Sequence, residues 1–291
     1  MEDFIKFDNV YFSYDGDLTN FVLNGVSFSV RSGENIAIVG ANGSGKSTIS
    51  KLINSVLIPN SGLIFVDGMS SSNKDEILKI RKNVGLIFQD PDNQIVATIV
   101  EEDVAFALEN LCFSQEDIKN VVDYSLARVD MLDFKKSLVE NLSGGQKSKV
   151  AIAGVLAMNP KCIIFDESTA MLDPKSKKEV LNIMNFLNKK NNTTILNITH
   201  NMKEVALSDR VIVLKDGKIL KQDVPKNIFE DECVLKEAGL CLPEVSEFIM
   251  LLNKEGFVEE KVALNVRECV EIVAGLLKGE NVFWVQLSSK M

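Results

Sequence analysis

Histidine occurs once in this chain, and cysteine five times without a single CxxC spacing. Cys112, Cys162, Cys233, Cys241 and Cys269 are scattered and odd in number, so with His200 alone they form no recognisable zinc site. Their expected state is the reduced thiol of a cytoplasmic interior. Long hydrophobic runs are missing too: none approaches the ~20 residues that span a bilayer. Met1-Glu2-Asp3 is acidic, so no basic n-region of a secretory signal is expected. Service to a membrane process is then expected from the cytoplasmic side, by docking to another subunit. Positive charge is in deficit, with 32 Lys and Arg against 41 Asp and Glu and a net charge of -9. That balance disfavours contact with a phosphate backbone, and nucleic acid is not an expected partner. Internal repeats and low-complexity segments are absent as well.

What remains is an ordinary globular composition, 25% charged and 46% hydrophobic over 291 residues, enough for one large domain or a main domain with an appendage. Phe4-Ile5-Lys6-Phe7, Val10-Tyr11-Phe12 and Val26 to Val30 alternate as strands do, with turn signals at Asp15-Gly16-Asp17 and Arg31-Ser32-Gly33-Glu34. Asn35 to Val39 is a short apolar strand leading into a glycine loop, and Thr48 to Leu57 reads as a helix stopped by Pro59. Leu63–Val66 and Val84–Phe88 follow as strands. A helical block then occupies about 90–140, with helices over 100–111 and 115–129 and caps expected at Thr98 and Ser114. Strands return at Cys162–Phe165, Thr194–Ile198 and Arg210–Leu214, with a helix over 175–190 between the first two. The alternation predicts a buried parallel sheet flanked by helices. Near Pro225 the pattern changes. Short helices at Glu244–Lys254 and Val266–Lys278 and a strand-like Val282–Val285 mark 225–291 as a small accessory domain beside a main domain of 1–224.

Three motifs carry the chemistry. Gly40-Ala41-Asn42-Gly43-Ser44-Gly45-Lys46-Ser47-Thr48 matches the GxxxxGK[ST] phosphate loop in the strand–loop–helix context that such a loop needs. Its glycines let backbone N–H groups close around phosphates, and the following helix N-terminus adds its positive end. Gly40, Asn42, Gly43, Ser44, Gly45, Lys46, Ser47 and Thr48 are therefore the candidate phosphate-binding set, with Lys46 on the terminal phosphates and the Ser47 hydroxyl on Mg2+. Asp166 and Glu167 end an apolar strand, where ligands meet parallel sheets. Asp166 is the expected Mg2+ holder, directly or through water, and Glu167 the base that polarises the attacking water. Leu142-Ser143-Gly144-Gly145-Gln146, ahead of a helix, is the third motif and makes an anion-type site at a helix N-terminus. His200 ends a strand as the chain's one histidine, and is a candidate functional residue on that placement.

Taken together these motifs resemble an ATP-binding-cassette (ABC) ATPase over about residues 4–220. The resemblance implies a P-loop NTPase core with an antiparallel β subdomain, an inserted helical subdomain and a small C-terminal domain. It implies ATP and Mg2+ as bound species. It further implies that Ser143, Gly144, Gly145 and Gln146 belong to the signature motif, which contacts the γ-phosphate of ATP held by a partner subunit. Tyr14 matches the aromatic that stacks on adenine, Gln89 the loop glutamine that senses Mg2+ and couples to a transmembrane subunit, Asp173 the loop joining the two active sites, and His200 the switch histidine at the γ-phosphate.

A finer resemblance is to the ATPases of energy-coupling-factor (ECF) transporters, including cobalt and nickel importers. It is carried by Phe88-Gln89-Asp90-Pro91-Asp92-Asn93-Gln94, Val100 to Phe106, Ser168 to Pro174 and Val205 to Arg210. It implies a motor subunit of an importer of vitamins or transition-metal ions, peripheral on the cytoplasmic membrane face. A second ABC ATPase, a transmembrane scaffold near the segment after Gln89, and a membrane substrate-binding subunit are the implied partners. One departure stands out: the family reads Gln-Lys-Gln-Arg after the signature, whereas this chain has Gln146-Lys147-Ser148-Lys149, which keeps the charge but loses arginine's planar fork. The rival readings are the ATPase of another ABC importer and a soluble ABC ATPase acting on DNA or the ribosome. Against the latter stand the acidic charge, the single cassette, and only 52 residues between Gln89 and Leu142, too few for long coiled coils.

Overall fold

The computed structural model describes residues 3–17 and 19–278; the expected strand at Val282–Val285 lies outside them. An antiparallel sheet is built from β1 (Asp3–Phe12), β2 (Leu23–Arg31), β4 (Ser61–Val66) and β5 (Met69–Ser70) in the order β2-β1-β4-β5. The two short runs expected at Phe4 and Val10 are one strand, irregular where Asn9 takes a φ of 51° and the pairing register shifts between Phe7 and Val10. The second sheet contains β3 (Asn35–Gly40), β6 (Val84–Ile87), β7 (Cys162–Asp166), β8 (Thr194–Ile198), β9 (Arg210–Lys215) and β10 (Lys218–Asp223). Its order is β10-β9-β3-β8-β7-β6, parallel throughout except for the edge strand β10.

The helices are α1 (Lys46–Ile53), α2 (Ile77–Asn83), α3 (Val100–Asn110), α4 (Gln115–Arg128), α5 (Gly144–Ala157), α6 (Pro174–Asn191), α7 (Met202–Val205), α8 (Pro225–Phe229), α9 (Glu232–Ala238), α10 (Glu244–Lys254) and α11 (Val266–Lys278). Two expectations need correction. Helix α1 runs over 46–53, not 48–57: Gly45 caps it in a left-handed conformation, so Lys46 and Ser47 enter its first turn. At its other end Ser55 is left-handed with a φ of 54°, and the N–H groups of Val56 and Leu57 fold back to Lys51 O, which closes the helix well before Pro59. Thr98 is not the cap of α3. Ile99 is, without a side-chain bond, because Thr98 O is taken by the Val139 N–H while the Asp103 carboxylate accepts from the N–H groups of Val96 and Ala97. Ser114 caps α4 as expected.

Three apolar layers hold these elements, and burial of such surface is the main favourable contribution to folding. The first joins the antiparallel sheet and α1 to one face of the parallel sheet, through Ile5, Phe7, Leu23, Ile36, Ile38 and Ile49. On the far side the helical block and helices α5 and α6 pack through Val104, Leu126, Val150, Val180, Phe165 and Ile195. The last layer covers the other face of β3 and β9, where Ala37, Val39, Val211 and Val213 meet Ile228, Phe229, Leu235 and Val262. Beyond it Ile249, Val258 and Ala263 form a small cluster with residues of α11.

Candidate nucleotide site

The phosphate loop leaves the C-terminal end of β3 and enters α1, as parallel strands flanked by helices require of a ligand site. Gly40 has a φ of 153°, and a β-carbon there would collide with Leu214 O and crowd Ser44 Oγ. Gly45 has a φ of 103° and would drive a side chain into Leu23. Both positions need glycine for different reasons, one for close approach and one for helix entry. The Ser44 Oγ is buried inside this loop without a hydrogen-bond partner. A buried hydroxyl left unpaired costs free energy, so a ligand oxygen is its natural complement. Lys46, almost fully buried, donates from Nζ to Gly40 O and Ala41 O, each at 3.0 Å. Buried Thr48 meets the Tyr14 hydroxyl at 3.1 Å, and the Tyr14 ring, 56% exposed, stands edge-on to Phe12 beside the loop.

Asp166 and Glu167 divide their work by orientation. Asp166 Oδ1 accepts from Ser47 Oγ at 2.9 Å and Oδ2 from Ser50 Oγ at 2.8 Å. Burial pushes its carboxyl above the usual aspartate range, and the two hydroxyls pull it part of the way back. Glu167 sits in the left-handed region at a φ of 51°, a strained setting for a non-glycine residue, with its N–H donating to Ile198 O. The turn aims its carboxylate between Lys46 Nζ and His200 Nδ1, at 3.7 Å from each. Gln89 follows β6 and comes to the same place. Gly40, Asn42, Gln89, Glu167 and His200 line one open cleft of about 920 Å3, closed on the far wall by residues 239–244. The hard oxygens of Ser47, Asp166 and Gln89 suit Mg2+ in kind. Among the described residues no three His, Cys, Asp or Glu side chains cluster as a complete metal cage. A cation here would draw its remaining ligands from phosphate and water.

Two predicted elements stand apart from this cleft. Ser143, Gly144, Gly145 and Gln146 do not line it. They open α5 in a reciprocal capping box, Gln146 N–H to Ser143 Oγ and Ser143 N–H to Gln146 Oε1. Asp173 likewise caps α6, accepting from the N–H groups of Lys175 and Ser176 at 3.0 and 3.1 Å, bonds that hold its carboxyl below the usual range. These two helix starts touch each other, since Gly145 abuts Ser176. Lys149, in place of the expected arginine, is 9% exposed and pairs with Glu179 on α6 through one contact of 2.6 Å. A point charge suffices there; a planar fork is not used.

Ser50, Glu204 and the 239–244 wall escaped the sequence reading. Ser50 sits one turn past Ser47 in α1, a spacing that could have suggested it. For Glu204 and the distant wall no local signal exists.

Comparison with known proteins identifies the family. The ABC transporter family profile matches residues 23–170. The energy-coupling factor transporter ATP-binding protein EcfA1 of Clostridioides difficile is 45% identical over 271 residues, covering 93% of this chain and 98% of its own length. That of Streptococcus pyogenes serotype M1 is 44% identical, covering 88% of this chain and 92% of its own. Among solved structures, cbiO1 from Clostridium perfringens, described as part of the ABC transporter complex cbiONQ, superposes with a TM-score of 0.73 at 35% identity, over 85% of this chain and 99% of its own. The ATP-binding cassette MJ0796, solved as a dimer bound to ADP and Pi, gives 0.69 at 29% identity, over 76% of this chain and 98% of its own. The chain thus belongs to the ABC transporter family, as an ATP-hydrolysing subunit of the energy-coupling factor importer type.

Proposed function

We propose that this chain is one half of a two-ATPase motor in which each ATP lies between the phosphate loop of one subunit and the Ser143–Gln146 motif of the other. The observation that carries this is the division of the site. Glu167, His200 and Gln89 line one cleft, with Lys46 Nζ 3.7 Å from the Glu167 carboxylate, while Ser143–Gln146 are not part of its lining. A cleft of this openness excludes too little water to position a γ-phosphate by itself. A second ATPase, identical or related, supplies the missing wall.

In this reading the backbone of Gly40–Gly45 and the Ser44 hydroxyl cradle the phosphates, Lys46 moves from its two carbonyls onto the terminal phosphates, and Tyr14 stacks on adenine. Ser47, Asp166 and Gln89 hold Mg2+, which when bound offsets negative charge on the phosphate oxygens. Glu167 accepts the proton of the attacking water, and His200 steadies the γ-phosphate. Asp173 lies at the junction with the partner's site. ATP binding closes the pair and hydrolysis reopens it. The segment after Gln89 passes the motion to a transmembrane scaffold that works beside a membrane substrate-binding protein. The substrate class is a vitamin or a transition-metal ion, the motor sits peripherally on the cytoplasmic face, and residues 225–291 form an accessory unit. No helix among the described residues is long and apolar enough to cross a membrane.

Affinity purification of this subunit from native membranes, with mass spectrometry of its companions, tests the reading. A small multi-helix scaffold, with a second related ATPase or with this one alone, supports it and settles hetero- against homodimer. A conventional permease pair in its place overturns the partner assignment.

A further inference from the structure

Among the described residues, Glu204 is the most deeply buried acid that the proposed chemistry leaves unused. It is 3% exposed and lies in α7, four positions past His200. Its Oε1 accepts from Thr169 Oγ1 at 2.6 Å and pairs with Lys177 Nζ at 2.8 Å, and its Oε2 accepts from Asn197 Nδ2 at 3.0 Å. Burial alone would push the carboxyl up, but Lys177, Thr169 and Asn197 together hold it below the usual glutamate range. Each partner stands next to a different working part. Thr169 is two residues past Glu167. Asn197 is on β8, the strand that leads to His200. Lys177 is in the first turn of α6, the helix that Asp173 caps and whose Ser176 abuts Gly145.

We propose that Glu204 is a positioning residue that ties the start of α6 to the Glu167 turn and the His200 strand, so that displacement at Gly145 and Asp173 reaches the chain's own hydrolytic groups. The inference rests on the roles proposed above for Glu167, His200 and Asp173. A contiguous set of packed and hydrogen-bonded groups connects the two motifs: Gly145 to Ser176, Lys177 to Glu204, then Thr169 and Asn197. Lengthwise, this is the route by which the motif serving a partner's ATP senses the state of the local one.

Stability and positioning can be separated here by chemistry. Breaking a buried ion pair on one side strands a charge, whereas neutralising both partners is often close to neutral for the fold. In the purified transporter complex, Lys177→Met should destabilise, and Glu204→Gln with Lys177→Met should recover the melting temperature to within about 3 °C of wild type. The double variant should nevertheless hydrolyse ATP about 10- to 100-fold more slowly, as misplacement of reacting groups by about 1 Å would cause, with KM for ATP within about threefold. Thr169→Val, which keeps the shape and removes one donor, should lower kcat about fivefold at unchanged KM. A double variant as fast as wild type, kcat that simply follows melting temperature across the set, or Thr169→Val at full rate would each overturn the proposal. His200→Ala in the same assay separates the two readings. If it runs at the wild-type rate the site assignment itself fails, and if it is slow while the Glu204 set is fast only this inference does.

Discussion

Gly145 has no room for a β-carbon because Ser176 Oγ occupies that space. The crossing of α5 and α6 is set at this point, glycine against serine, with both helices at their first turn. Gly145→Ala should therefore cost about 1–3 kcal/mol in stability, the range seen when a close-packed contact is overfilled. Ser176→Gly in the Gly145→Ala background should return most of that loss. Thermal melting of the two variants checks it; failure of the second change to rescue would mean the contact is not the cause.

Ser50 should matter more than its sequence context suggests. It holds the Asp166 oxygen that Ser47 does not. Outer partners of metal-holding carboxylates typically contribute about 10- to 100-fold in metal affinity. Ser50→Ala should raise the Mg2+ concentration for half-maximal ATP hydrolysis by about tenfold while leaving saturated kcat within about threefold of wild type. A Mg2+ titration of the ATPase rate decides it.

Glu167→Gln should keep the shape of the turn at 167 and remove the base. Loss of general-base catalysis lowers kcat by about 100- to 10,000-fold. ATP binding should survive, so gel filtration with ATP should show a closed pair of ATPases that the wild type does not accumulate. Hydrolysis at the normal rate would remove Glu167 from the role of base.

The cysteines offer a readout without mutagenesis. Cys112, Cys233 and Cys241 are exposed, whereas Cys162 is fully buried in β7 and burial pushes its thiol far up. Thiolate supply and access both govern alkylation, so Cys162 should stay unmodified in the folded chain. Cys241 lines the same cleft as Gln89, Glu167 and His200, the proposed nucleotide site. A non-hydrolysable ATP analogue should slow its labelling several-fold relative to Cys112, as peptide mapping would reveal.

Glu204 also makes an acid-stability prediction. Its ordinary pKa is 4.5 and its folded value lies lower. The ionised form thus favours the folded state: the stabilisation is present above pH 4.5 and is lost as pH falls from there through the folded pKa. Comparing melting temperatures of wild type and the Glu204→Gln, Lys177→Met double variant isolates this contribution, since every other carboxyl group is shared. The wild type should lose melting temperature relative to the double variant as pH falls below 4.5, and the difference should be flat from there to neutral pH.

The parts of the site that the sequence announces are those whose chemistry is local. A phosphate loop needs its glycines, lysine and serine within one strand–turn–helix, and a strand-end Asp-Glu pair needs only the strand before it, so Gly40–Thr48, Asp166 and Glu167 were legible as short strings. Helix bounds followed capping chemistry: Ser114 was readable, whereas Thr98 was not, because a bridge to Leu138 and the Asp103 carboxylate had already engaged its surroundings. Glu204 was illegible for the opposite reason. An acid inside Met202-Lys203-Glu204-Val205 looks solvated until Lys177 and Thr169, from some thirty residues upstream, and Asn197 on the preceding strand close around it. The 239–244 wall is held by apolar packing of Leu240 and Leu242 against the cluster under β9, which has no local pattern.

The alternate side chains of strand β3 answer to early and late parts of the chain. Ile36 and Ile38 lie against the early antiparallel sheet, while Ala37 and Val39 lie under Ile228, Phe229 and Val262. The strand that delivers the phosphate loop is thus upholstered on its second side by late sequence. A chain shortened to residue 224 would keep Met202 and Val205 on that side but lose Ile228, Phe229, Leu235 and Val262, leaving much of it open to water, as a greasy plank rather than a smaller motor. Any attempt to pare this protein to a minimal catalytic piece should keep the first forty residues past that point, or replace the lost apolar cover with polar side chains.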